Sequence, residues 1–155
     1  MYKKILVPLD GSELAECVLP HVQSIAKGCG VQSVVFIRAV EPFHVPSGGE
    51  GGGFRDEDIK RINSDNKADA ERYLSQVSSE AKYDGVKVRW EVISGKPAES
   101  IAEYATKNAV DLIIIATHGR SGVSRWVWGS VADRLLHSAR AAVLMVRAPG
   151  CVPGI

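Results

Sequence analysis

The sequence has no apolar run approaching the roughly 18 residues that a membrane-spanning helix needs, so no membrane association is expected. Cysteine is scarce. Cys17, Cys29 and Cys151 are an odd number, without CxxC spacing or nearby histidine ligands, so neither a zinc site nor a disulfide framework is suggested. Cys17 falls in an apolar helical pattern and reads as a core residue, whereas Cys151 lies in a Pro/Gly-flanked tail. Charge of one sign is also lacking: 19 Lys and Arg against 18 Asp and Glu leave a formal net charge of +1. A nucleic-acid binder would show a basic excess on one face, so no nucleic-acid partner is expected. The opening "MYKKILVPLDGSE" carries two lysines, but its apolar segment is too short for a signal h-region and runs into Asp10. The expected location is cytoplasmic. Three site motifs are missing as well. GxxxxGK[ST] is absent, GxGxxG does not follow the first strand, and without GxSxG there is no nucleophile elbow.

What is present is a 155-residue chain, 45% hydrophobic and 24% charged. That is one domain's worth, large enough for a core without metal or disulfides. The expected domain covers 1–148, followed by a tail, 149–155. Five runs rich in β-branched and aliphatic residues recur: 3–9, 33–40, 86–93, 111–117 and 141–147. Helical patterns lie between them. The first, with Leu14, Cys17, Val18, His21, Val22 and Ile25 at three- and four-residue spacing, is interrupted by Pro20, where a kink or break is expected. The second covers Asp56 to Lys82, with Ile59, Ile62, Tyr73, Leu74 and Val77 on one face and a charged, solvated face opposite. A third starts at Pro97, suited to a first helical turn, and a fourth starts near Ser130. Alternation of this kind predicts an α/β fold: an open parallel sheet with helices on both faces. "LIII" (112–115) is apolar at every position and reads as a central strand. "VKVRWEV" (86–92) alternates and reads as an edge. The segment 41–55, with two prolines and five glycines between 41 and 54, is too long for an ordinary βα turn; a flexible lid and plain disorder both fit it.

In such a sheet ligands bind beyond the carboxyl ends of the strands, where strand order reverses. Three loops leave strands there. "ATHGRSGVSRWVWGS" (116–130) offers Gly119, Gly122 and Gly129 for close backbone approach, with His118, Arg120 and Arg125 adding cationic or hydrogen-bonding character. It ends at Ser130, where a helix N-terminus would favour an anion. The alternative is a plain helix start, since Ser130 and Asp133 form an S-x-x-D pattern. "PLDGSE", with Pro8, Leu9 and Asp10, closes the first strand. Asp10 or Ser12 would cap the next helix, or Asp10 would accept hydrogen bonds from a ribose or base; the roles are compatible. "AVEPFH" leaves the second strand at Ala39.

Taken together, "KKILVPLDGSELAE", "ISGKPAESIAEYA" and "DLIIIATHGRSGVSRWVWGSVADRLL…AAVLMVR" resemble the universal stress protein family, in order and across essentially the whole chain. The resemblance implies a Rossmann-like, adenine nucleotide alpha hydrolase-like sheet of five strands in the order 3-2-1-4-5. ATP-binding members carry G-x2-G-x9-G-[S/T]. Gly119 and Gly129-Ser130 match its second and third parts, while its first glycine falls on Ala116. Alanine costs little there if φ is negative and obstructs the ligand if φ must be positive. The implied function is an ATP-binding regulatory module in stress response. Asp10 would contact the nucleoside and backbone at Ala39 the adenine edge, with Ile115 and Ala116 lining base and ribose. Gly119, Arg120, Gly129 and Ser130 would hold the phosphates, with Val131 adding an N–H. Mg2+ would accompany the phosphates, without a carboxylate cage of its own. A homodimer through the last strand, Val143 to Val146, is also implied, and would cover an apolar edge.

No catalytic residue is assigned, and ATP hydrolysis would be slow and incidental. An adenylating ATP pyrophosphatase would need paired glycines in an SGGxDS-type loop, which "PLDGSE" lacks. A nucleotide-free dimeric interaction module of the same fold is the alternative, favoured if Ala116 or the tryptophans block the pocket. Trp126, Trp128 and Trp90 read as packing residues, His21 and His137 as structural. His118 would touch phosphate or cap a turn, and His44 has no readable partner.

Overall fold

The structure, a computed structural model, describes residues 1–44, 55–117 and 130–147. The elements run β1 (Lys4–Pro8), α1 (Glu13–Glu16), α2 (Leu19–Gly28), β2 (Ser33–Val40), α3 (Asp56–Glu80), β3 (Lys87–Ser94), α4 (Pro97–Lys107), β4 (Leu112–Thr117), α5 (Ser130–Ser138) and β5 (Ala142–Arg147). The strands form one sheet in the order β3-β2-β1-β4-β5, and every pairing is parallel. This is the expected α/β architecture and strand order.

The strand pleat distributes the core over two faces. Ile5 and Val7 of β1 join Val34, Phe36, Val22 and Leu74 on one side. Leu6 joins Val35, Ile37, Ile101, Ala105 and Leu135 on the other. β1 and β4 have a partner on each side and are buried almost throughout, the pattern of internal parallel strands. β3 is an edge strand exposed along most of its length. Trp90 corrects the expectation of packing. It keeps 39% of its surface in solvent although it shares a strand face with Val88 and Val92, which pack against the core, because β3 has a neighbouring strand on one side only.

Pro20 interrupts the first helical region as expected. α1 ends at Glu16, and α2 begins at Leu19 with Pro20 inside its first two positions, where proline's missing N–H costs no helical bond. Cys17, between the two, packs against the core. Cys29 is a free thiol. Among the described residues no helix is long and apolar enough to cross a membrane.

At the amino end of the sheet Asp111 ties β1 to β4. Its Oδ2 accepts the backbone N–H groups of Lys3 (2.9 Å) and Lys4 (2.8 Å). Those bonds stabilise the carboxylate and hold its pKa below the usual range. At the opposite end, Gly95 turns the chain from β3 into α4 with φ +134°, and a Cβ there would collide with Ser100 Oγ. Only glycine meets both conditions.

Candidate functional site at the carboxyl end of the sheet

The chain builds β1, β2 and β3 outward in one direction, then returns to lay β4 on the other side of β1. The loops after β1 and β4 therefore diverge and leave a crevice between them. A cavity of about 380 Å³ opens there. Its walls come from the ends of three strands: Pro8, Leu9 and Asp10 after β1, Ile37, Arg38 and Ala39 from β2, and Ile115 and Ala116 from β4. Leu14 and Ala15 of α1, Pro97 and Ile101 of α4, and Ser130, Val131 and Ala132 of α5 complete it.

Eight of the residues singled out in the sequence thus face one cavity: Pro8, Leu9, Asp10, Ala39, Ile115, Ala116, Ser130 and Val131. His118, Gly119, Arg120, Gly122 and Gly129 lie outside the described residues, as do Arg125, Trp126 and Trp128. Sequence reasoning did not find Leu14, Ala15, Ile37, Arg38, Pro97, Ile101 or Ala132. A signal existed for Pro97 and Ile101. In a parallel sheet every helix begins at the end where its preceding strand finishes, so the first turn of α4 had to stand at the cavity's end of the sheet.

Ala116 is the decisive position in the β4 wall. It pairs with Val146 in the β4–β5 ladder, and among the described non-glycine residues the only positive φ belongs to Ala109. Ala116 is therefore extended strand, and its methyl group carries no backbone strain. The condition under which alanine could replace glycine is met.

Asp10 and Ser12 form a local hydrogen-bonded turn. Ser12 is the N-cap of α1, its hydroxyl accepting Ala15 N–H at 3.1 Å. Asp10 Oδ1 in turn accepts the N–H (2.9 Å) and hydroxyl (2.6 Å) of Ser12. The cap is Ser12, and Asp10 braces it from the cavity rim. Gly11 between them has φ +89°, a left-handed conformation that glycine takes without steric cost. Across the crevice, Ser130 and Val131 are the first two residues of α5. The N–H groups of a helix's first turn have no intrahelical acceptor and carry its positive dipole end.

Behind the β1 loop, Tyr73 of α3 donates its hydroxyl to Glu16 Oε1 at 2.9 Å. Burial, that hydrogen bond, and the charges of Glu16 and Asp10 push its phenol far above the ordinary range, with Arg38 opposing. Tyr73 is a neutral donor at any physiological pH. Among the described residues no group of three or more His, Cys, Asp or Glu side chains could hold a metal ion.

A profile of the universal stress protein family matches residues 1–147. The chain belongs to the universal stress protein family. A member from Methanocaldococcus jannaschii, universal stress protein MJ0531, is 34% identical over 151 residues, covering 96% of this chain and 84% of that protein. The solved structure of MJ0577, a universal stress protein from the same archaeon, superimposes with a TM-score of 0.76 at 27% identity. It covers 95% of this chain and 96% of its own. A universal stress protein solved in complex with cAMP shares the fold, with a TM-score of 0.67 at 20% identity and coverage of 94% and 97%. The fold and strand order match those of universal stress protein structures.

Proposed function

We propose that this universal stress protein is a regulatory module that binds ATP in the crevice between the β1 and β4 loops. The observation that carries the reading is the meeting in one cavity of an apolar floor, the Asp10 carboxylate and the first turn of α5. Those are the three surfaces that a base, a ribose and a phosphate chain require. Ile115, Ala116 and Ala39 line the base and ribose, with the backbone at Ala39 meeting the adenine edge. Asp10 accepts a hydrogen bond from the nucleoside. Ser130 supplies a hydroxyl and Val131 an N–H to the phosphates, alongside Gly119, Arg120 and Gly129. Pro8 and Leu9 complete the walls, and His118 and Gly122 are proposed as further nucleotide contacts. The cAMP complex of a protein with this fold is in keeping with an adenine nucleotide.

Mg2+ would accompany ATP as a counter-ion to the phosphates. Among the described residues no acidic cage surrounds Asp10, so the cation's ligands would come mainly from the nucleotide and water. Binding rather than turnover is the function proposed. β5 is the second functional surface: a sheet edge with Val143, Leu144 and Met145 only partly covered, suited to pairing with a second copy. Acid extraction of the purified protein should release adenine nucleotide, and replacing Gly119 by tryptophan should abolish its recovery while leaving the circular dichroism spectrum unchanged. Nucleotide-free wild-type protein that also fails to take up added ATP would leave the interaction module as the function.

A further inference from the structure

Arg38 is the cavity residue whose chemistry the nucleotide reading leaves unused. It stands near the end of β2, where strand alternation places it on the sheet face opposite Ile37 and Ala39. Its guanidinium carbon lies 5.7 Å from the centre of the Tyr73 ring, within cation–π range. One edge of the guanidinium rests on the β1 loop: Nη1 would be 3.1 Å from a Cβ on Gly11, and Nη2 3.7 Å. Gly11 therefore serves twice, as a left-handed turn and as the open slot that admits this side chain. Tyr73 is fixed in turn by its hydrogen bond to Glu16. Arg38 lines the cavity, and among the described residues its guanidinium contacts the Tyr73 ring and the Gly11 turn.

The local charge balance gives this arrangement a purpose. Two carboxylates, Asp10 and Glu16, and one cation, Arg38, act on the same tyrosine. These three charges sum to −1 with Arg38 and to −2 without it, so Arg38 lowers the negative charge that an anionic ligand entering beside Asp10 meets. We propose that Arg38, held between Gly11 and Tyr73, is a specificity-determining residue that makes the cavity select phosphorylated nucleosides over uncharged ones. The inference rests on the nucleotide-binding reading and goes beyond it, because it assigns charge discrimination to a side chain of β2 rather than to the loop after β4. The effect is electrostatic, so it grows with ligand charge and weakens with salt.

The test is titration calorimetry of adenosine, AMP and ATP, at low and high salt, with wild type, Arg38→Met, Arg38→Lys and Glu16→Gln. Arg38→Met should leave adenosine within about twofold, weaken AMP by about threefold and ATP by about tenfold or more at low salt. Arg38→Lys should restore most of the ATP affinity. Glu16→Gln keeps an acceptor for Tyr73 and removes a negative charge, so it should tighten ATP about two- to fourfold. Equal losses for adenosine and ATP in Arg38→Met, or weaker ATP binding in Glu16→Gln, would overturn the inference and leave the nucleotide reading standing. Wild type that binds neither adenosine nor ATP would overturn both.

Discussion

At the scale of single residues, Ala116 shows how much one dihedral angle decides. In the sequence it was a missing glycine; in the fold it is a strand residue paired with Val146. Because no positive φ has to be supplied there, Ala116→Gly should leave ATP affinity within about twofold and lower stability by about 0.5–1 kcal/mol, the usual cost of glycine in a strand. Calorimetry paired with urea denaturation checks both; a large gain in affinity would mean that the methyl group obstructs the ligand. Asp111 carries a pH signature. Its folded-state pKa is depressed by the Lys3 and Lys4 N–H groups, so its contribution to stability is present above the unfolded-state value and is lost as pH falls through the folded one. The group is solvent-exposed, which screens the contribution to about 1 kcal/mol. Asp111→Asn should therefore flatten the acid limb of the stability curve below about pH 4 and lower stability at pH 7. Chemical denaturation across pH measures this, and an unchanged acid limb would rule the linkage out.

At the scale of elements, the most consequential connection is the turn into α4. Gly95 combines a φ of +134° with a Cβ position already taken by Ser100 Oγ. Gly95→Ala should cost about 1–3 kcal/mol, and because Pro97 and Ile101 stand in the cavity wall it should weaken ligand binding as well. A variant as stable as wild type would show that the turn relaxes freely. The elements themselves were largely legible. Apolar runs marked all five strands to within a residue or two, Pro20 marked the break between α1 and α2, and Pro97 marked the start of α4. The site was legible in part. Asp10 and Ser130 stand at strand–helix junctions, which a sequence displays directly. Arg38 was not legible, since its importance comes from Tyr73 and Gly11, 35 and 27 positions away in the chain. No local pattern encodes a stack between β2 and α3. Trp90 was misread for a related reason: it shares a strand face with the core-packing Val88 and Val92, and only its place on the edge strand leaves it in solvent.

For the whole molecule, topology makes the site. Building β1 to β3 outward and returning to β4 opens a crevice at one place only in the strand order, and the chain puts Asp10, Ala116 and Ser130 at that place. The two sheet edges differ in kind. β3 carries exposed polar side chains, including Lys87, Arg89 and Glu91, a composition that discourages pairing, whereas β5 presents partly covered aliphatic side chains. Titration calorimetry of the wild-type protein with Mg-ATP shows whether this crevice takes ATP. A saturable isotherm with one nucleotide per chain is expected, lost or weakened at least tenfold when Ser130 and Asp10 are both changed to alanine. No binding heat at any temperature tried, or an isotherm indifferent to those two substitutions, would contradict it.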